Sequence, residues 1–188
     1  MKADLCTWTK NGAKTLIPVL KRIGDVIPIE EVREKTAVDD SSVDSTVKIL
    51  KEFNWKVYPN RSGFINGGTT EALRHVRSKF FVFVKQDVLL CRNWWDIIPK
   101  NMEDKTVAVS QGVEISTNRA EREIDKYNFK KIRQMPLEKG RDCGKPLEIT
   151  FIVQKLLEIW ASLKIQSPLR CFIGKLLPMA LNRLRTLM

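Results

Sequence analysis

Residues 80–84 read FFVFV, five apolar side chains with no polar one between them. Successive side chains of a strand point to opposite faces, so a strand with no polar alternate must be covered on both. Such strands belong to the middle of a parallel sheet with helices layered on each side. The chain around this run supplies the matching alternation. Ala3–Thr9 and Val32–Val38 read as strands, Trp55–Tyr58 as a short strand stopped by Pro59, and Thr106–Val109 as a further strand. Between them, residues 14–23 carry Leu16, Ile17, Val19, Leu20 and Ile23 at the spacing of one helical face. Residues 43–53 turn Val47, Ile49, Leu50 and Phe53 inward after a cap at Ser42 or Asp44. The Gly-rich stretch NRSGFINGGTT leads into a helix at Glu71–Arg77, and NWWDIIPKNM into another short one. Strand and helix take turns about five times. The expected fold is an α/β, Rossmann-like, mostly parallel sheet flanked by helices.

In such sheets ligands bind beyond the carboxyl ends of the strands. The chemically informative residues stand there: Asn11 after the first strand, Asp39 and Asp40 after the second, Gln86 and Asp87 after FFVFV. Asp39-Asp40-Ser41-Ser42-Val43-Asp44 admits two readings. Asp and Ser bond nearby backbone at turns and helix starts, which accounts for Ser42 and Asp44. Adjacent aspartates at the tip of a buried strand repel each other unless a cation or hydrogen-bond donors lie close, which points to a binding role.

After residue 118 the alternation fades. Residues 1–118 hold 18 Lys+Arg against 15 Asp+Glu, and residues 119–188 hold 15 against 7, so most of the +11 net charge lies in the second part. We read residues 1–118 as one α/β domain and 119–188 as a basic helical extension. Its helices are expected in NRAEREIDKYNFKKIRQM, at Ile149–Ile165 and at Leu169–Met188. The last two pair an apolar side with Lys/Arg edges, which suits an anionic membrane surface or packing against the sheet or a second subunit. The aromatic and basic residues of DKYNFKKIRQ come with no nucleic-acid module, so nucleic acid is not an expected partner. The four cysteines have no metal-ligand spacing, and Cys6 sits in an apolar run. With no stretch of 18 apolar residues and an N-terminus that turns polar early, the expected location is cytoplasmic, peripheral on the inner membrane face. His75, the one histidine, is expected on a helix surface. At least one of Trp94 and Trp95 is expected in the core.

VDDSSVDST resembles the VDDGSTD-type motif of family 2 glycosyltransferases, enzymes of the GT-A fold. TWTKNGAKTL resembles that family's opening strand and Asn-containing loop, GFINGGTTEAL its Gly-rich turn and helix, and FFVFVKQDVLL its Asp-x-Asp strand. The resemblance implies a transferase that moves a sugar from a nucleotide diphospho-sugar to a lipid-linked or glycan acceptor. Asp40 would then hold the nucleotide base, Asp39 would shape that pocket, and Asn11 would border the nucleotide. Asp87 would bind Mg²⁺ or Mn²⁺ bridging the diphosphate. Lys85 stands where the family has the first acidic residue of Asp-x-Asp, and Thr70 where it often has Asn. Glu114, Asp125 and Asp142 are the weak candidates for a general base. The alternative is a degenerate, non-catalytic nucleotide-sugar or membrane-surface binding protein.

Overall fold

The computed structural model describes residues 2–61, 63–103, 109–112, 115–133 and 149–153. The described residues up to 111, together with 149–153, form one compact unit; residue 112 and residues 115–133 belong to a second.

The first unit is built on six strands: β1 (Ala3–Thr9), β2 (Val32–Asp39), β3 (Lys56–Pro59), β4 (Phe80–Val84), β5 (Val109–Gln111) and β6 (Ile149–Val153). They stand in the order β3-β2-β1-β4-β6-β5. β3, β2, β1 and β4 run parallel, while β6 is antiparallel to both β4 and β5. The helices are α1 (Ala13–Val26), α2 (Thr46–Glu52), α3 (Phe64–Arg74) and α4 (Trp94–Ile97), with 3-10 turns at Ile29–Glu31 and Pro99–Glu103. The two periods of FFVFV go where a doubly covered strand must send them. Val82 and Val84 join Leu5, Ala37 and the apolar faces of α1 and α2 in one core. Phe81 and Phe83 join Cys6, Val38, the α3 residues Ala72 and Leu73, and Val76 just beyond that helix, in the other. Trp94 is buried and Cys6 packs as a small hydrophobe, both as expected. Burial drives the Cys6 thiol pKa far upward.

Several local expectations are corrected. Ile149–Val153 is a strand rather than the start of a helix. ITFIV is β-branched and aromatic, and pairing with β4 and β5 outweighed the i, i+3, i+4 spacing that had suggested a helix. Those five residues therefore belong to the sheet and not to a membrane-facing helix; residues 154–188 lie outside the described residues. α3 begins at Phe64, seven residues before the expected start, so the glycines lie within the helix. The reason is close packing: a Cβ on Gly68 would collide with the Trp8 indole ring. Ile17 is exposed rather than inward, and α2 starts at Thr46 rather than at Val43. His75 is no bare surface residue: its ring stacks on Tyr58 with centroids 3.6 Å apart. The strand expected at Thr106–Val109 is seen as Val109–Gln111, with residues 104–108 outside the described residues.

The rim of the sheet where its parallel strands begin is tied by one buried carboxylate. Asp4, 1% exposed, accepts two bonds from the Arg33 guanidinium (2.7 and 2.8 Å) and one each from the Arg77 and Ser78 amides (2.6 and 2.9 Å). Burial alone would raise its pKa. The guanidinium and the two amides outweigh that and hold it below the ordinary carboxylate value.

Candidate active site

At the opposite rim the strand order sets the geometry. The chain passes from β1 outward to β2 and β3, then returns to place β4 on the other side of β1. The crevice between β1 and β4 is thus a topological switch point, where the loops leaving the two strands diverge. Loop β1–α1 carries Lys10, Asn11 and Gly12; loop β4–α4 carries Lys85, Gln86 and Asp87; loop β2–α2 carries Asp40 through Ser45.

Side chains knit these loops together. The Gln86 amide clasps the Lys10 backbone across the switch point, accepting from Lys10 N–H (3.0 Å) and donating to Lys10 C=O (3.2 Å). Gly12 lies so close that a Cβ there would strike the Gln86 amide. On the other flank, Asn11 N–H donates to Ser42 Oγ (2.8 Å), and Asn11 Oδ1 accepts from Val43 N–H (2.9 Å). Gly12 N–H donates to Thr46 Oγ1 (2.7 Å) and Ala13 N–H to Asp44 Oδ2 (3.1 Å). Thr46 also donates from its hydroxyl and its amide to Asp44 Oδ1. The hydroxyl bond first, then the Thr46 and Ala13 amides, hold the Asp44 carboxyl below its ordinary pKa. Asn11 (φ 47°) and Ser41 (φ 58°) both occupy the left-handed region, which costs a non-glycine residue roughly 1 kcal/mol. Strain of this kind persists only where surrounding bonds fix the backbone.

The adjacent aspartates divide their work. The buried Asp39 carboxylate faces inward and is saturated by donors: Thr9 Oγ1 (3.2 Å), Ser42 N–H (2.8 Å) and Ser42 Oγ (2.5 Å). Those donors resolve the repulsion that two neighbouring carboxylates raise. Asp40 faces the rim, where Oδ2 pairs with Lys10 Nζ (3.0 Å) and Oδ1 accepts from Asn60 Nδ2 (3.1 Å). Asp87 is exposed, and no described group pairs with its carboxylate. Asn11, Asp39 and Asp40 therefore meet in one bonded cluster, and Asp87 lies in the loop that leaves β4, the strand on the other side of β1. The roles of Gln86, Lys10, Ser42 and Thr46 as ties escaped the sequence reading. An amide side chain immediately after a central strand was the available signal.

Asp125 lies on α5 (Arg119–Arg133) in the second unit, where its Oδ2 accepts from Ser116 N–H (2.9 Å). Glu114 and Asp142 lie outside the described residues. An apolar cleft of about 270 Å³ sits toward the Asp4 rim, between Leu20, Ile23, Ile27, Phe53 and Trp55. Lys35 in its wall donates to the Phe53 carbonyl (2.6 Å), and burial lowers its pKa. Among the described residues no three His, Cys, Asp or Glu side chains gather as a metal cage, and no helix is long and apolar enough to cross a membrane.

A parallel four-stranded core with an antiparallel return and loops that diverge at a switch point defines an α/β class that carries its ligand sites at that rim. Residues 4–157 match the sequence model of Glycosyl transferase family 2, and the chain belongs to that family. Solved structures agree on the GT-A fold. S. aureus TarS residues 1–349 align with a TM-score of 0.64 at 17% identity over 86% of this chain and 49% of that one. The mannosyltransferase PcManGT from Pyrobaculum calidifontis, solved with GDP-Man and Mn²⁺, aligns at 0.60 and 17% identity over 85% and 46%. Glucosyl-3-phosphoglycerate synthase from Mycobacterium tuberculosis, solved with Mn²⁺, UDP and glucosyl-3-phosphoglycerate, aligns at 0.56 and 13% over 83% and 58%. The chain thus spans about half the length of these neighbours. No curated protein matches it significantly.

Proposed function

We propose that the chain carries the donor-binding part of a glycosyltransferase that takes a sugar from a nucleotide diphospho-sugar to a lipid-linked or glycan acceptor. One observation supports this reading: Asp40 follows β2 and Asp87 follows β4, the two strands that flank β1, and the loop after β1 carries Lys10, which pairs with Asp40. Their strands are two steps apart, roughly 10 Å. A nucleoside with its diphosphate bridges such a gap. Asp40 takes base N–H donors, Asn11 and Asp39 fix the loop that presents it, and the diphosphate lies toward Asp87.

The donor set at Asp87 fits a divalent cation held mainly by the substrate. A single exposed carboxylate suits Mg²⁺ or Mn²⁺, which bind through one or two carboxylates, substrate phosphates and water. When bound, such an ion neutralises the charge that develops on the departing nucleoside diphosphate. Lys85, two residues before Asp87, favours a second reading, in which the chain holds nucleotide sugar without transfer.

Nucleotide release separates the two. Incubated with UDP- and GDP-sugars and Mn²⁺, the transferase should liberate nucleoside diphosphate, and Asp87→Ala should abolish it. A wild-type protein that binds these donors but releases nothing would favour the binding reading.

A further inference from the structure

Every backbone amide from residue 10 to residue 13 already has a side-chain acceptor. Lys10 donates to Gln86, Asn11 to Ser42, Gly12 to Thr46 and Ala13 to Asp44. Those four amides leading into α1 are therefore already taken and closed to a phosphate, although helix N-termini commonly bind one. What the β1–α1 loop can offer an anion is the Lys10 ammonium. Its backbone is clamped by Gln86 on the β4 side, its side chain is 53% exposed, and its nitrogen lies 3.0 Å from Asp40 Oδ2 on the β2 side. Because β1 stands between β2 and β4, a ligand reaching from Asp40 to Asp87 must pass over this residue.

Resting on the nucleotide-sugar reading above, we propose that Lys10 is an exchangeable counter-ion: it neutralises Asp40, then moves to the diphosphate when a base N–H takes its place on that carboxylate. The exchange is cheap in both directions. An exposed ion pair contributes little, so releasing it costs little, and the carboxylate regains a donor from the base. Charge is conserved along the rim, since one positive charge leaves one anion for another as the ligand enters. No bond is made or broken. Lys10 thereby becomes a specificity determinant that rewards a ligand bearing both an N–H base and a diphosphate, rather than either alone.

The test compares binding of UDP and GDP with that of uridine and guanosine, by calorimetry with Mn²⁺ present, for wild type, Lys10→Met and Lys10→Arg. Lys10→Met should weaken the nucleoside diphosphates by on the order of ten- to a hundredfold, the weight of a charge-assisted contact. It should leave the nucleosides unchanged or tighter, because Asp40 is no longer shared. Lys10→Arg should keep the discrimination. Thermal unfolding of each variant without ligand should match wild type, since the side chain is exposed. Equal weakening of nucleoside and diphosphate by Lys10→Met, or no weakening of the diphosphate, overturns the exchange while leaving the nucleotide site standing. A wild type that binds none of the four overturns both.

Discussion

Asp39 and Asp40 are neighbours in sequence, but the structure predicts opposite consequences of removing each. Asp39→Ala deprives three donors of their acceptor. The Thr9 hydroxyl is fully buried and cannot turn to water. An unsatisfied buried group of this kind costs about 1–3 kcal/mol. The two Ser42 donors lie nearer solvent, and their loss adds about 1 kcal/mol together. The total is about 2–4 kcal/mol, or a fall in Tm of roughly 4–16 °C for a chain of this size. Asp40→Ala loses the exposed Lys10 pair, worth about 0–1 kcal/mol, and one bond from Asn60. Its cost should be about 1 kcal/mol, with a Tm drop of roughly 2–4 °C. Binding should separate the pair the other way: Asp40→Ala abolishes measurable UDP or GDP binding even where it is fully folded. Circular-dichroism melts without ligand, followed by calorimetry at a temperature where both variants are folded, measure both quantities. The division of labour is refuted if Asp40→Ala melts as low as Asp39→Ala, or if it binds nucleotide like wild type.

The Asp4 cluster gives a pH signature. Its folded-state pKa lies below the unfolded value near 4, so its stabilisation is complete above that value and is lost as pH falls through the folded value. Asp4→Asn should cost about 3 kcal/mol at pH 7, the low end for a broken buried pair because Arg33 is part exposed. Urea melts between pH 3 and 7 should show the gap between wild type and variant closing only below about pH 4; a constant gap contradicts the assignment. Gly68→Val should destabilise by about 1–3 kcal/mol through collision with Trp8, and Trp8→Ala in the same chain should relieve it. Additive effects in that double-mutant cycle would remove the packing explanation for the glycine.

The parallel core was legible because its strands obey simple rules. FFVFV has no polar alternate, and the helical faces of α1 and α2 repeat at the right interval, so their burial follows from pattern alone. The carboxylates were legible by position, since they follow strands and ligands collect there. What could not be read was set by contacts distant in sequence. The GlyGly of α3 looked like a loop, because only the proximity of Trp8, some 60 residues away, makes glycine necessary in a helix. β6 was hidden because its apolar spacing fits both periods, and only its partners β4 and β5 decide between them. The roles of Gln86 and Lys10 depend likewise on loops that meet only after the sheet has formed.

The central proposal is that Asp40, Lys10 and Asp87 line one continuous nucleotide site in which a divalent cation is held jointly by protein and diphosphate. Binding of Mn²⁺, followed by electron paramagnetic resonance with and without UDP or GDP, tests this most directly. Wild type should take up Mn²⁺ only when the nucleotide is present, and both Asp87→Ala and Asp40→Ala should lose that uptake, because coupling between two ligands is reciprocal. Mn²⁺ bound equally well without nucleotide, or bound as in wild type by Asp40→Ala with nucleotide present, would contradict it.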